Sequence, residues 1–211
     1  PYVSERLADF DCRVLEDEGF NPVYFGMSCH IPPLDMASVR RALAEAVDKK
    51  EIARAAFRLD TVPRVSDNFI PAKLPGFFPA DRADSFRPEE AGRRLRSEGF
   101  LGASSFPPFS LYFPRPKKDE DSKIFRVLRD GLAGLGIRLS LRYYDSPGDL
   151  KTLNEPYFVI IRRTLEYPDA ASLVTPLFFS LSGSNQETLH SSNRALDDLV
   201  RRAEAERSWT E

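Results

Sequence analysis

With 211 residues, 42% of them hydrophobic and 29% charged, the chain is long enough to bury a sizeable core in one domain and has neither a disordered nor a fibrous composition. Its formal net charge of −2 excludes a dedicated nucleic-acid surface, because phosphate binding needs a net basic field. No apolar run approaches the ~20 residues that span a bilayer, and no signal peptide is read; the chain is expected to be a piece of a longer protein whose targeting segment lies elsewhere.

In chain order, residues 13–15 and 23–27 read as two strands joined around Phe20 and Asn21, a hairpin that sets Cys12 and Cys29 roughly opposite each other. A cross-strand disulfide and two unpaired cysteines are both compatible with that arrangement, since the register is not readable. After Pro32 and Pro33, Asp35 is expected to cap a helix carrying Val39, Leu43, Ala46 and Val47 on one face. Asp48 and Glu51 have capping-box spacing, so a second helix should restart there through Ile52, Ala56 and Phe57. Prolines at 63, 71, 75 and 79 then block helix and central strand alike, which predicts a long ordered loop over 61–87. Pro88 suits a first helical position, with Ala91 and Leu95 on one face and a Gly99-Phe100 ending.

From residue 109 the pattern alternates. A strand at 109–113, a helix through Ile124, Phe125, Leu128 and Leu132 ending at Gly136, and a half-buried strand at 137–143 make a β-α-β unit. A short helix at 149–153 leads to 157–161, whose unbroken apolar character suits a strand buried on both faces, and right-handed crossovers would make these strands parallel neighbours. Helices at 171–179 and 193–207 follow, the second presenting Leu196, Leu199, Val200 and Ala203. The fold class is α/β, a mixed, mostly parallel sheet flanked by helices.

Catalytic constellations are missing from this pattern. His30 and His190 lie in no metal-ligand spacing and read as surface or loop residues, no cysteine pair has zinc spacing, and no nucleophile elbow, phosphate loop or dinucleotide fingerprint occurs. Neither an enzyme, a metal site nor a cofactor is expected. Asp119, Glu120 and Asp121 sit near a helix start, where the helix dipole accounts for them. Polar groups gather at one privileged point, Arg162-Arg163-Thr164-Leu165-Glu166-Tyr167-Pro168-Asp169, directly after the buried strand. In open α/β sheets the ligand crevice lies outside the carboxyl ends of the strands. The alternative is that both arginines form ion pairs with Glu166 or Asp169 and bind nothing.

The run Pro32-Pro33, Asp35, Val39-Arg40, Ala42-Leu43, Ala46-Val47-Asp48-Lys49 and Ile52 resembles the family 5 solute-binding proteins of ABC importers, the oligopeptide-, dipeptide- and nickel-binding group. The likeness extends from about Asn21 to Arg207, through Glu98-Gly99-Phe100, Gly134-Leu135-Gly136-Ile137 and the helix with Asp197 and Leu199. It implies a periplasmic-binding-protein-like (type II) lobe, with residues 1–211 forming one lobe of a two-lobed protein and the partner lobe missing. It also implies a receptor, periplasmic or tethered outside the cell as a lipoprotein, that closes on a peptide or small solute and delivers it to ABC permease subunits, as a monomer and without catalysis. A sensory module and a degenerate lobe kept for protein interaction are the alternatives.

Family members commonly carry G-W-x-x-D-Y-P-D-P after this strand, the first Asp holding the amino terminus of a peptide. By position Glu166 takes that place, and Tyr167, Pro168 and Asp169 match directly. Arg162 and Arg163 replace the glycine and tryptophan, and Ser146 stands after Asp145 where a tryptophan is frequent. Lost aromatic platforms and gained guanidiniums favour an anionic group. Tyr24 lies where peptide-binding members place contact tyrosines, or alternatively fills the core. The expected ligand-contacting residues are Arg162, Arg163, Glu166, Tyr167, Asp169 and Tyr24.

Overall fold

The apolar run at 157–161 becomes an inner strand of a four-stranded sheet. The structure, a computed structural model, describes residues 21–56, 65–66, 68–77, 86–102, 105–165 and 169–206. The strands are β1 (Val23–Met27), β2 (Phe109–Pro114), β3 (Leu139–Tyr144) and β4 (Tyr157–Arg162), in the spatial order β1-β4-β2-β3. β2 runs parallel to both β3 and β4, while β1 pairs antiparallel with β4, Tyr24 facing Ile161 and Val23 facing Arg162. The sheet is thus mixed and mostly parallel, as expected. Cys12 and residues 13–15 lie outside the described residues. Among the described residues Cys29 has no disulfide partner; its Sγ lies 3.4 Å from the Met27 carbonyl oxygen, and burial pushes its pKa up against the opposing charge of Arg40.

Period-2 alternation along β4 divides the core in two. Phe158 and Ile160 point to one face, where Phe109, Leu111 and Phe113 of β2 meet helices α1 (Ala37–Glu45), α3 (Pro88–Ser97) and α4 (Asp121–Ala133) through Val39, Leu43, Ala91, Leu95, Ile124, Leu128 and Leu132. Tyr157, Val159 and Ile161 point to the other, packing with Tyr144, Leu150, Leu177 and Leu189. That second layer comes from α5 (Gly148–Lys151), α6 (Ala171–Phe178), α7 (Gly183–Thr188) and its exit. β4 needs apolar side chains on both faces because helices cover both.

The helix boundaries follow the sequence cues with instructive exceptions. α1 starts at Ala37 with Met36 at its N-cap and no side-chain capping bond, so Asp35 falls one residue too early to cap it. The Arg40 guanidinium instead donates to the Leu34 and Asp35 carbonyls at 2.7 and 2.8 Å. α2 (Lys49–Ala56) keeps half of the capping box: Asp48 accepts from the Glu51 amide at 2.9 Å, but the Glu51 carboxylate pairs with Arg54 rather than reaching back. α3 and α4 both end on a left-handed glycine, Gly99 at φ +90° and Gly136 at φ +82°, with Phe100 N–H bonded to Leu95 and Ile137 N–H to Leu132.

α7 was not foreseen, being short and built from Gly183, Ser184 and Asn185 without an apolar period. Buried Asn185 holds its exit by donating to the Phe179 and Ser191 carbonyls and accepting from the Ser191 amide. In α8 (Arg194–Ala205) Asn193 caps the Leu196 amide and Val200 is buried, but Leu199 is exposed, against expectation, because the packed face is centred on Val200 and Asp197. Asp197 accepts from the Ser180 amide at 2.8 Å and its hydroxyl at 2.6 Å, tying α8 to the end of α6.

The two histidines, read separately as loop residues, lie against each other with ring centroids 3.9 Å apart and planes tilted by 42°. His190 adopts φ +52°, and burial holds both imidazoles below their ordinary pKa of 6.5, aided at His190 by the charges of His30 and Lys151. A histidine whose folded pKa is depressed binds fewer protons than its unfolded counterpart, so the stability it confers is complete above pH 6.5 and is lost as pH falls through the folded pKa. Urea midpoints are therefore expected to fall as pH drops from about 7 toward 5.5, and His190→Asn, which tolerates the left-handed backbone, should flatten that slope. An unchanged slope in the variant would remove the pair as its source.

Candidate functional site at the carboxyl edge of the sheet

Because β2, β3 and β4 run parallel and β1 runs against them, the exits of three strands and the entry of β1 share one edge. Arg162, Arg163, Tyr24, Tyr144, Arg115 and Asp145 are gathered there. This is the crevice position of open α/β sheets. Glu166, Tyr167 and Pro168 of the expected contact segment lie outside the described residues. Asp169 is described: its carboxylate accepts from the Ala171 amide at 2.9 Å and its carbonyl from the Ser172 hydroxyl at 2.5 Å, so it anchors the start of α6.

The two arginines diverge. Arg162 continues the β4 alternation onto the first face, where its guanidinium lies 5.9 Å from the Phe113 ring centroid. It pairs with Asp121 and, at 3.5 Å, with Glu120, two carboxylates at the start of α4. Asp121 is fully buried and also accepts from the Lys118 amide at 2.9 Å. Helix-dipole compensation alone does not account for it: it is the counter-ion of a strand-end arginine 41 residues away. The sequence offers no signal for that pairing.

Arg163 continues onto the second face. Its amide donates to the Pro22 carbonyl at 3.1 Å, extending the β1–β4 ladder by one residue. Its guanidinium has no side-chain partner among the described residues, and its Nε is shielded from solvent and unbonded. Burial pushes the Tyr24 phenol up to about 12 against the opposing charge of Arg163, and burial likewise raises Tyr144 against Arg162 and Arg163.

Tyr24 is half-buried and stacks on Phe69 at 4.5 Å, donating its hydroxyl to the Phe69 carbonyl at 2.8 Å. Phe69 in turn meets Phe178 of α6 edge-on at 4.7 Å. Sequence reading missed Phe69 and Phe178, which come from a proline-rich loop and a helix end. Together with Tyr24, whose phenol feels the charge of Arg163, they provide aromatic area on the β1 side of this edge.

At the β2 and β3 exits, Arg115 pairs with Asp145 at 3.3 Å, and Arg115 and Lys117 lie 5.5 and 4.9 Å from the Tyr143 ring centroid. Ser146, standing where a tryptophan is frequent, serves the turn into α5: its hydroxyl accepts from Gly148, while Asp149 accepts from the Asp145 and Ser146 amides at 3.0 Å each. Those two bonds hold the Asp149 carboxyl below its ordinary pKa. Among the described residues, no cluster of three or more His, Cys, Asp or Glu could hold a metal ion, and no helix is long and apolar enough to cross a membrane.

This arrangement offers groups that can bind and orient a polar solute; among the described residues it pairs no nucleophile with a base. The family description "Bacterial extracellular solute-binding proteins, family 5 Middle" matches residues 4–185. The chain belongs to this family. The dipeptide-binding protein of Escherichia coli K12 is 24% identical over 207 residues, spanning 96% of this chain. Among solved structures, HbpA2 from Haemophilus parasuis superposes with a TM-score of 0.78 at 21% identity, covering 95% of this chain and 40% of that one. An ABC-transporter-associated periplasmic binding protein, DppA, from Helicobacter pylori, solved with the peptide STSA, gives 0.71 at 13% identity, covering 95% and 39%. These likenesses establish the periplasmic-binding-protein-like (type II) α/β fold. The family 5 chain described here spans 38% of the length of the curated relative it matches.

Proposed function

We propose that residues 1–211 form the ligand lobe of a two-lobed family 5 receptor that captures peptides or related small solutes outside the cytoplasmic membrane and hands them to an ABC permease. The family match over residues 4–185 carries this reading. It is supported by relatives about two and a half times as long as this chain and by the polar, aromatic-flanked edge at the β4 exit. Binding by hinge closure asks no chemistry of the lobe, only complementary groups that lose their water on closure. In this reading Arg162, Arg163, Glu166, Tyr167, Asp169 and Tyr24 border the solute, with Glu166 receiving a ligand amine. Arg162 and Asp169 act mainly through the backbone they position, since Asp121 and Glu120 already meet the Arg162 guanidinium and the Ala171 amide already bonds the Asp169 carboxylate.

Mass spectrometry of solutes that co-purify with the full-length receptor tests the proposal directly: a retained peptide is the expected result. Glu166→Gln should keep the fold and weaken binding of a peptide with a free amino terminus by about 1.5–3 kcal/mol, the scale of a hydrogen bond to a charged group. Unchanged affinity in calorimetry would remove Glu166 from the site.

A further inference from the structure

This inference rests on the solute-binding reading and concerns which solutes the edge prefers. Adjacent arginines at the end of β4 suggest a joint clamp for one anion. The fold prevents that, because successive side chains of an extended strand point to opposite faces. Arg162 lies against Phe113 on the first face, and Arg163 acts on Tyr24 of the second. The two guanidiniums therefore have separate tasks.

Arg162 is already neutralised. Asp121, fully buried, and Glu120 supply two carboxylates to its Nη2, so although its Nη1 is unbonded its charge is met from inside the protein. Arg115, the third arginine at this edge, is matched by Asp145. Arg163 differs from both: among the described residues no carboxylate meets it, and its Nε is withdrawn from water without an acceptor. A shielded guanidinium hydrogen without an acceptor is costly unless something arriving from outside supplies one. A carboxylate fits a guanidinium fork through two parallel hydrogen bonds. Beside it stands the aromatic group Tyr24, Phe69 and Phe178, whose one hydroxyl is already bonded to the Phe69 carbonyl, so that it offers apolar area and no competing donor.

We infer that Arg163 is the specificity-determining residue of this lobe and that the preferred solute is acidic, with a carboxylate bound at Arg163 and an adjoining apolar or aromatic group on the Tyr24–Phe69 shelf. Arg162 is the strut that holds the β4 exit to α4. The substitution at the tryptophan position exchanges an aromatic platform for a charge reader, while Phe69 and Phe178 keep apolar area nearby.

The test uses the full-length receptor and four tetrapeptides, Ala-Glu-Phe-Ala, Ala-Gln-Phe-Ala, Ala-Lys-Phe-Ala and Ala-Glu-Ala-Ala, titrated into wild type, Arg163→Gln, Arg163→Lys and Phe69→Ala, each checked for its fold by circular dichroism. Wild type is expected to prefer the Glu-Phe peptide over the Gln-Phe peptide by about tenfold or more. The preference should collapse in Arg163→Gln and be intermediate in Arg163→Lys, which keeps the charge but loses the fork. Phe69→Ala should erase the preference of Glu-Phe over Glu-Ala while sparing that of Glu over Gln. If Arg163→Gln binds these peptides with the acidic preference intact, the inference is overturned and the solute-binding reading stands. If wild type binds none of the four at about 1 mM, peptide capture itself fails and the inference falls with it.

Discussion

Phe158→Ala is expected to remove about 3–5 kcal/mol of folding stability, the range measured for truncating a fully enclosed aromatic ring. Phe158 has no accessible surface and lies on an inner strand, stacked on Phe109 with centroids 5.0 Å apart and 5° between planes, and tilted against Phe25 at 5.0 Å. Its ring joins β1, β4 and β2 on the face covered by α1, α3 and α4, and none of these neighbours can swing in without abandoning its own contacts. Truncation therefore costs both the transferred area and a cavity that the surroundings only partly close. Whole domains are stable by only about 5–15 kcal/mol, so a urea midpoint should drop steeply with little change in slope. Leu199→Ala on α8, where the residue is 56% exposed, is the control and should change stability by no more than about 0.5 kcal/mol. A loss below about 1 kcal/mol for Phe158→Ala would contradict the packing described here.

Asp121→Ala is expected to cost a similar amount, about 3–5 kcal/mol, for a different reason. Asp121 is fully buried and Arg162 is 17% exposed, so removing the carboxylate leaves a guanidinium charge in a site with little water and only Glu120, at 3.5 Å, to meet it. It also takes the acceptor away from the Lys118 amide. Replacing both partners, as in Asp121→Ala with Arg162→Met, removes the stranded charge and should recover part of the loss. The double variant therefore separates the pair's net contribution from the penalty of breaking it. If the single and double variants are equally destabilised, the ion pair is not what makes Asp121 costly to lose. The outcome also bears on the division of labour at the β4 exit: Arg162 variants should shift stability, Arg163 variants ligand preference.

That division was half legible in the residues. Strand alternation through 157–161 already implies that two successive arginines face opposite ways, yet it says nothing about what each one meets. Asp121 lies 41 residues before Arg162 and belongs to a helix start where its charge is sufficiently explained by the helix dipole. Long-range ion pairs carry no local pattern, so nothing in the chain distinguished Asp121 from its neighbours Asp119 and Glu120. Phe69 was hidden for the same reason: proline spacing revealed a loop, but not which of its residues would lie on Tyr24.

What the sequence determined by itself was whatever local physics and family spacing encode. The unbroken apolar run made β4 a strand covered on both faces, helical periodicity marked α1, α4 and α8, and the glycines ending α3 and α4 marked left-handed caps. The family motifs at Pro32 to Ile52 placed the chain among solute-binding proteins. Only tertiary structure decided which distant side chains become partners: β1 beside β4, Asp121 with Arg162, His30 on His190, and an aromatic shelf beside Arg163, which no carboxylate meets among the described residues. The physical reason is range. Backbone propensity and capping act over a few residues, whereas desolvation and charge pairing are settled only after the sheet has brought remote segments to one edge.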